Sequence, residues 1–95
     1  MFNNFDRGTY MSSKITSLAG LGLAATGAAH FVAPQLFEPI TKPVFPENTS
    51  TWIMRNGASE LAIGLAIAVP ATRKLGFAGL AAYGAHLGSR AASAA

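Results

Sequence analysis

The longest apolar stretch in the chain runs from Ile15 to Ala33, and no Asp, Glu, Lys or Arg occurs between Ile15 and Phe37. At 1.5 Å rise per residue, about 19 helical residues span roughly 28 Å, close to the ~30 Å hydrocarbon thickness of a bilayer. Pro34 biases Ala33 away from helical geometry, so this segment is predicted to end there. The next region changes character. Pro34, Pro39, Pro43 and Pro46 recur too closely for a regular helix or a central strand. The region is nevertheless apolar, with Leu36, Phe37, Ile40, Val44 and Phe45. A loop of this kind is expected at a membrane interface or against another protein, with Phe37, Phe45 and the following Trp52 as its contacts. Pro46 and Glu47 suit the first turn of the helix that follows.

The second apolar segment extends from about Trp52 to Val69 but carries Arg55, Asn56 and Glu60, so its charge-free part is short. Pro70 ends it, Arg73 and Lys74 follow, and a third segment rich in Ala and Gly runs from Leu75 to about Ala92. The pattern predicts an all-α fold, a small transmembrane helical bundle of three spans near 15–33, 52–69 and 75–92. The 34–51 loop is placed outside, the 1–14 arm inside, and 93–95 forms a tail. One span is clear and two are marginal, requiring neighbouring helices to shield their polar groups.

Composition strengthens the membrane reading. Of 95 residues, 51% belong to the apolar set and 12% are charged, about half the charged share of an ordinary soluble domain. Disorder is excluded by the same balance. The net charge of +3 comes without any Lys/Arg run longer than two, so no nucleic-acid footprint is expected. Arg7, Lys14, Arg73 and Lys74 place the N-terminus and the second loop in the cytoplasm of a cell whose inner membrane the chain crosses several times. The rival reading of the first segment is a removed leader, with Lys14 before the apolar run and Gly27-Ala28-Ala29 as a small-residue cleavage site; a retained helix is the reading adopted.

Catalytic patterns are scarce. No cysteine is present, which excludes a disulfide framework, a thiolate nucleophile and cysteine-ligated metal. Paired carboxylates, a phosphate-cradling glycine loop and a nucleophile elbow are also missing. No enzymatic activity, cofactor, metal or small-molecule substrate is therefore assigned. His30 and His86 fall on different segments; as a pair they keep a two-histidine metal or haem site open, and singly they read as structural. The polar residues of the apolar segments form the main candidate site. Counted along the helices, His30 and Arg55 reach one depth and Glu60 and His86 another, with Asn56 on the Glu60 face. An unpaired carboxylate there would cost several kcal/mol, so Glu60 is expected neutral or bonded to Asn56 and His86 or to Arg55. The cluster His30, Arg55, Asn56, Glu60 and His86 is read as a polar lock between helices, its rival being a proton or substrate site. Small residues recur four apart at Gly20, Ala24 and Ala28, and again at Ala81 and Ala85 beside Gly84 and Gly88. Such faces bring helices together in lipid, within the chain or against a partner.

Several of these residues carry a resemblance. His30-Phe31, Pro34, Phe37, Thr41 to Pro46, Asn56 to Glu60, Gly64-Leu65 and Thr72 to Gly76 resemble small DoxX-like integral membrane proteins of actinobacteria, with Gly57, Glu60 and Gly64 the most distinctive part. Such folds have four helices, against three expected here. The resemblance implies a membrane protein, and its name comes from a membrane subunit linked to thiosulfate and quinone oxidation. The leading expectation is a non-catalytic accessory subunit docked on a larger membrane complex in the lipid bilayer. The resemblance suggests an actinobacterial MCE-type lipid transporter first and a respiratory complex second. The alternatives are a small oligomeric transporter using Glu60 and a subunit of a quinone-linked oxidoreductase.

Overall fold

A computed structural model describes residues 4–95, with side chains from Ser12 onward. The chain is all-helical, and no strand occurs among the described residues. Three long helices, α1 (Asn4–Val32), α3 (Thr49–Ala68) and α4 (Arg73–Ala94), are joined by a short helix α2 (Glu38–Thr41) and 3-10 turns at Pro34–Leu36 and Pro70–Thr72. The described part of α1 starts at Asn4, and its stretch long and apolar enough to cross a membrane, Ser12–Val32, lies close to the expected 15–33. The side chain of Arg7, one of the charges used to orient the chain, lies outside the described residues.

The proline-rich region needs two corrections. It was expected to exclude helix, yet α2 forms with Pro39 in its first turn, where the missing N–H has no intrahelical partner to lose. Pro46 and Glu47 do not open the next helix; α3 starts at Thr49. Asn48 precedes it in the left-handed region at φ 56°, a conformation that asparagine tolerates better than most residues. The Thr49 hydroxyl donates back to the Phe45 carbonyl at 2.7 Å, which fixes the sharp entry into α3.

The main interface is a glycine seam. Gly20 and Gly27 of α1 face Gly64 and Gly57 of α3 so closely that a Cβ at Gly20 would lie 2.7 Å from the Gly64 carbonyl oxygen. Backbones can touch only where neither helix carries a side chain, and the resulting van der Waals and Cα–H···O contacts hold helices together without hydrophobic transfer from water. The pairing of Gly20 with Gly64 and of Gly27 with Gly57 makes α1 and α3 antiparallel. Helix α4 turns by 112° at the break after α3 and packs back on it: Gly76 meets Ile67, Gly79 meets Ile63, and Tyr83 meets Glu60.

One end of the bundle is tied by Arg73. Its guanidinium donates to the Ile67 carbonyl at 2.8 Å, to the Ser13 hydroxyl at 3.0 Å and to the Ser17 hydroxyl at 2.6 Å. Ser17 in turn donates to the Ala68 carbonyl at 2.8 Å. These bonds satisfy carbonyls left unpaired at the C-terminus of α3 and join all three long helices. A residue read only as a topology charge is thus also a structural clamp.

Few apolar side chains are inside. Ala24, Phe45, Ile53 and Ile67 are buried, whereas Ile15, Leu18, Val32, Leu75 and Phe77 are exposed. From Ser12 to Val32, α1 has a mean hydropathy of 1.4, and by length and composition it can cross a membrane. The pair α3 and α4, broken at Val69–Thr72, meets the same standard only taken together.

Candidate functional site

The site forms at the end of the bundle opposite Arg73, where α1 runs into the proline-rich segment. His30 lies in the last turn of α1 and is 4% exposed. Gly57 makes room for it, since a Cβ at Gly57 would strike the His30 side chain. The ring is held from two sides. Its Nδ1 lies 2.8 Å from the Thr26 carbonyl, which can only accept, so Nδ1 carries the hydrogen. Phe37 stacks on its face, with ring centroids 3.7 Å apart at 18°. Nε2 then points toward Oε2 of Glu60 at 4.0 Å, beyond direct hydrogen bonding.

Glu60 follows Gly57 by one turn of α3 and so presents its carboxyl on the same side. The Tyr83 hydroxyl of α4 donates to its Oε2 at 2.5 Å. Asn56, one turn before Glu60, is 6% exposed, and Thr41, at the end of α2, is 7% exposed. His30, Thr41, Asn56, Glu60 and Tyr83 line a cavity of about 260 Å³, completed by Phe45 and by aliphatic groups including Ile40 and Leu87. Among the described residues no protein group hydrogen-bonds the side chains of Asn56 or Thr41. A larger hollow of about 480 Å³ runs along Gln35, Glu38, Pro39, Lys42 and Pro43, but all five except Glu38 and Lys42 lack charge and every one is exposed, so the buried polar groups favour the smaller cavity.

The expected polar cluster divides. His30, Asn56 and Glu60 come together. Arg55 does not join them; it is exposed, and its guanidinium lies 5.2 Å from the Trp52 ring centre. One residue along a helix is a turn of about 100°, which carries Arg55 off the Asn56–Glu60 face. His86 also stands apart, against Trp52 at 5.3 Å and Phe45 at 5.6 Å between ring centres. The depth-matched pairs therefore do not form: Glu60 meets His30 and Tyr83, not His86. The two histidines keep separate company, and among the described residues no group of three or more His, Asp or Glu is placed to hold a metal ion.

The loop contacts are corrected as well. Phe45, expected on an outward surface, is 2% exposed and stacks on Trp52 with centroids 4.7 Å apart. Arg90 covers both rings, at 4.7 Å from Phe45 and 4.8 Å from Trp52. Phe37 is taken up by His30. These aromatics face inward because the loop folds over the bundle end, leaving Leu36 and Ile40 as its exposed apolar groups. On α4, Ala81, Gly84, Ala85 and Gly88 are exposed, and a Cβ at Gly84 or Gly88 would meet nothing within 4 Å. Small-residue packing inside the chain uses the Gly20/Gly27 and Gly57/Gly64 faces instead.

Tyr83 and Thr41 escaped the sequence reading. Tyr83 precedes His86 by three residues and so shares its helical face, but an uncharged phenol in an Ala/Gly-rich helix carries no polar signal of its own. Thr41 lies among prolines, where no periodicity places a side chain. Neither a curated protein nor a solved structure matches the chain. Residues 18–90 match the family described as Domain of unknown function (DUF8561). The matched span takes in the glycine seam, the polar cavity residues and Arg73 itself, and the chain belongs to the DUF8561 family.

Proposed function

We propose that the chain is a non-catalytic accessory subunit of a larger membrane complex, crossing the bilayer with α1, α3 and α4. The observation that carries this reading is the reversal of the usual burial pattern: Phe45, Ile53 and Ile67 are the large apolar side chains inside, while leucines, isoleucines and phenylalanines along α1 and α4 face out. A water-soluble chain with this surface would aggregate, and lipid or a partner must cover it. The antiparallel pairing of α1 and α3 and the fold-back of α4 on α3 suit successive spans, and the glycine seam argues that α1 stays with the fold. The open Gly84/Gly88 face of α4 is suited to a partner helix, because nothing among the described residues fills it. We extend the proposal to the DoxX-like kinship and to a lipid-transport assembly of the MCE type, in the plasma membrane with the N-terminus cytoplasmic. Gly84→Leu and Gly88→Leu should leave insertion and stability unchanged and reduce co-purification of the partner. Undiminished co-purification of both variants moves the interface elsewhere.

A further inference from the structure

We propose that the cavity between His30, Thr41, Asn56, Glu60 and Tyr83 binds a primary ammonium group. It goes beyond the subunit reading and stands independently of it. The Tyr83 hydroxyl spends its hydrogen on Glu60, and the His30 Nδ1 hydrogen goes to Thr26. What faces the cavity is a mixture: the Glu60 carboxyl and the Tyr83 oxygen accept, Nε2 of His30 accepts while Nδ1 carries the ring hydrogen, and Thr41 and Asn56 can each donate or accept. An occupant that supplies N–H groups can serve the carboxyl, imidazole and phenol acceptors. His30 Nε2 and Glu60 Oε2, 4.0 Å apart, cannot bond each other, but a donor carrying two or three hydrogens can reach both at about 2.9 Å.

Charge selects among donors. The arginines are engaged elsewhere: Arg55 and Arg90 lie on aromatic rings and Arg73 is bonded at the other end of the bundle, so the ionisable neighbour of the Glu60 carboxyl is His30, 4.0 Å away. A cation therefore gains from the carboxyl group, and an anion such as phosphate is repelled. Phe45 and Tyr83 add aromatic walls, which favour a cation further. About 260 Å³ holds a head group of a few heavy atoms. Asn56, 94% buried by difference from its 6% exposure and without a protein partner among the described residues, is the second sign of a built site. Ile40, 70% exposed, lies at the rim with Leu87 and Ala91 nearby, where an alkyl chain attached to the amine would find apolar contact. The amine can thus be a small free molecule or the head of an amphiphile.

The test uses the full chain in maltoside micelles and follows Trp52 fluorescence, because Trp52 stacks on the cavity wall at Phe45. Octylammonium, octyltrimethylammonium and octanol are titrated in parallel. Octylammonium should give a saturable change, and the other two, lacking either N–H donors or charge, should bind about tenfold more weakly or worse. Glu60→Gln, nearly isosteric, and Tyr83→Phe should each weaken octylammonium binding by about tenfold, while Gly22→Ala, outside the cavity, should not. Ethylammonium distinguishes the sources: competition with octylammonium supports a free amine, and saturable octylammonium binding without such competition supports an amphiphile head. Equal binding of the three octyl probes, unchanged binding by a folded Glu60→Gln chain, or no saturable signal overturns the proposal. Co-purification of Glu60→Gln with the partner complex is read separately, so loss of amine binding and loss of docking cannot be confused.

Discussion

Replacing Gly27 by alanine adds one methyl group where the structure has no space for it. The new Cβ would lie 2.5 Å from the Gly57 carbonyl oxygen and 2.9 Å from the Glu60 carbonyl carbon. Both are backbone atoms of α3, so no rotamer change relieves the contact and the helices must separate. Overpacking of this kind costs about 1–3 kcal/mol, and the rigid neighbours put Gly27 at the upper end. Alanine returns about 1 kcal/mol of helix propensity. The net expectation is a loss of about 2 kcal/mol. Gly22 supplies the control, since a Cβ there meets nothing within 4 Å; Gly22→Ala should keep the propensity gain and stabilise by up to about 1 kcal/mol. Unfolding of the two variants in mixed micelles, titrated with sodium dodecyl sulfate and followed by circular dichroism, measures the difference directly. Equal stability of Gly27→Ala and Gly22→Ala would refute the seam.

Arg73→Ala should destabilise the fold by about 2–3 kcal/mol, because charge-assisted bonds to Ile67, Ser13 and Ser17 are lost together, and Arg73→Lys should recover little since an ammonium cannot reproduce the fork; the same titration reads both, and full rescue by lysine would contradict the clamp. For Glu60, the glutamine variant should assemble normally, whereas Glu60→Leu removes the acceptor of Tyr83 and should lower thermal stability by about 1–3 kcal/mol. Loss of complex activity in an intact Glu60→Gln assembly would make Glu60 a titrating functional group. The three-span topology predicts that cysteines at Thr49 and Ser93 react with an impermeant thiol reagent in intact cells and one at Ser12 does not; labelling at Ser12 without lysis would refute it.

How much was legible in the sequence follows from what each signal measures. The three long helices were visible because charge-free runs and prolines at Pro34 and Pro70 mark helix ends by local sterics. Helix α1 continues before Ile15 because polarity there says where lipid contact ends, not where hydrogen bonding ends. The proline spacing hid α2, since one turn needs only a tolerated first-turn proline. Asn56 and Glu60 were found from their shared helical face, and His30 from its rarity in an apolar run. Their meeting with Tyr83 and Thr41 depends on how α4 and the loop fold over α3, which no local pattern encodes. Arg55 and His86 were misassigned because depth along an axis was used without rotation about it, and a single residue's rotation takes Arg55 out to Trp52. The glycine seam had a signal in the seven-residue spacing of Gly20 to Gly27 and of Gly57 to Gly64, two turns of helix each.

The central claim is that this chain is built to dock on a larger membrane protein. Native mass spectrometry of the tagged, chromosomally expressed chain, extracted from its own membranes in a mild detergent, tests it most directly. The account predicts a stable heteromer containing a larger membrane protein, diminished in Gly84→Leu. A homo-oligomer or a lone monomer as the sole species would contradict it.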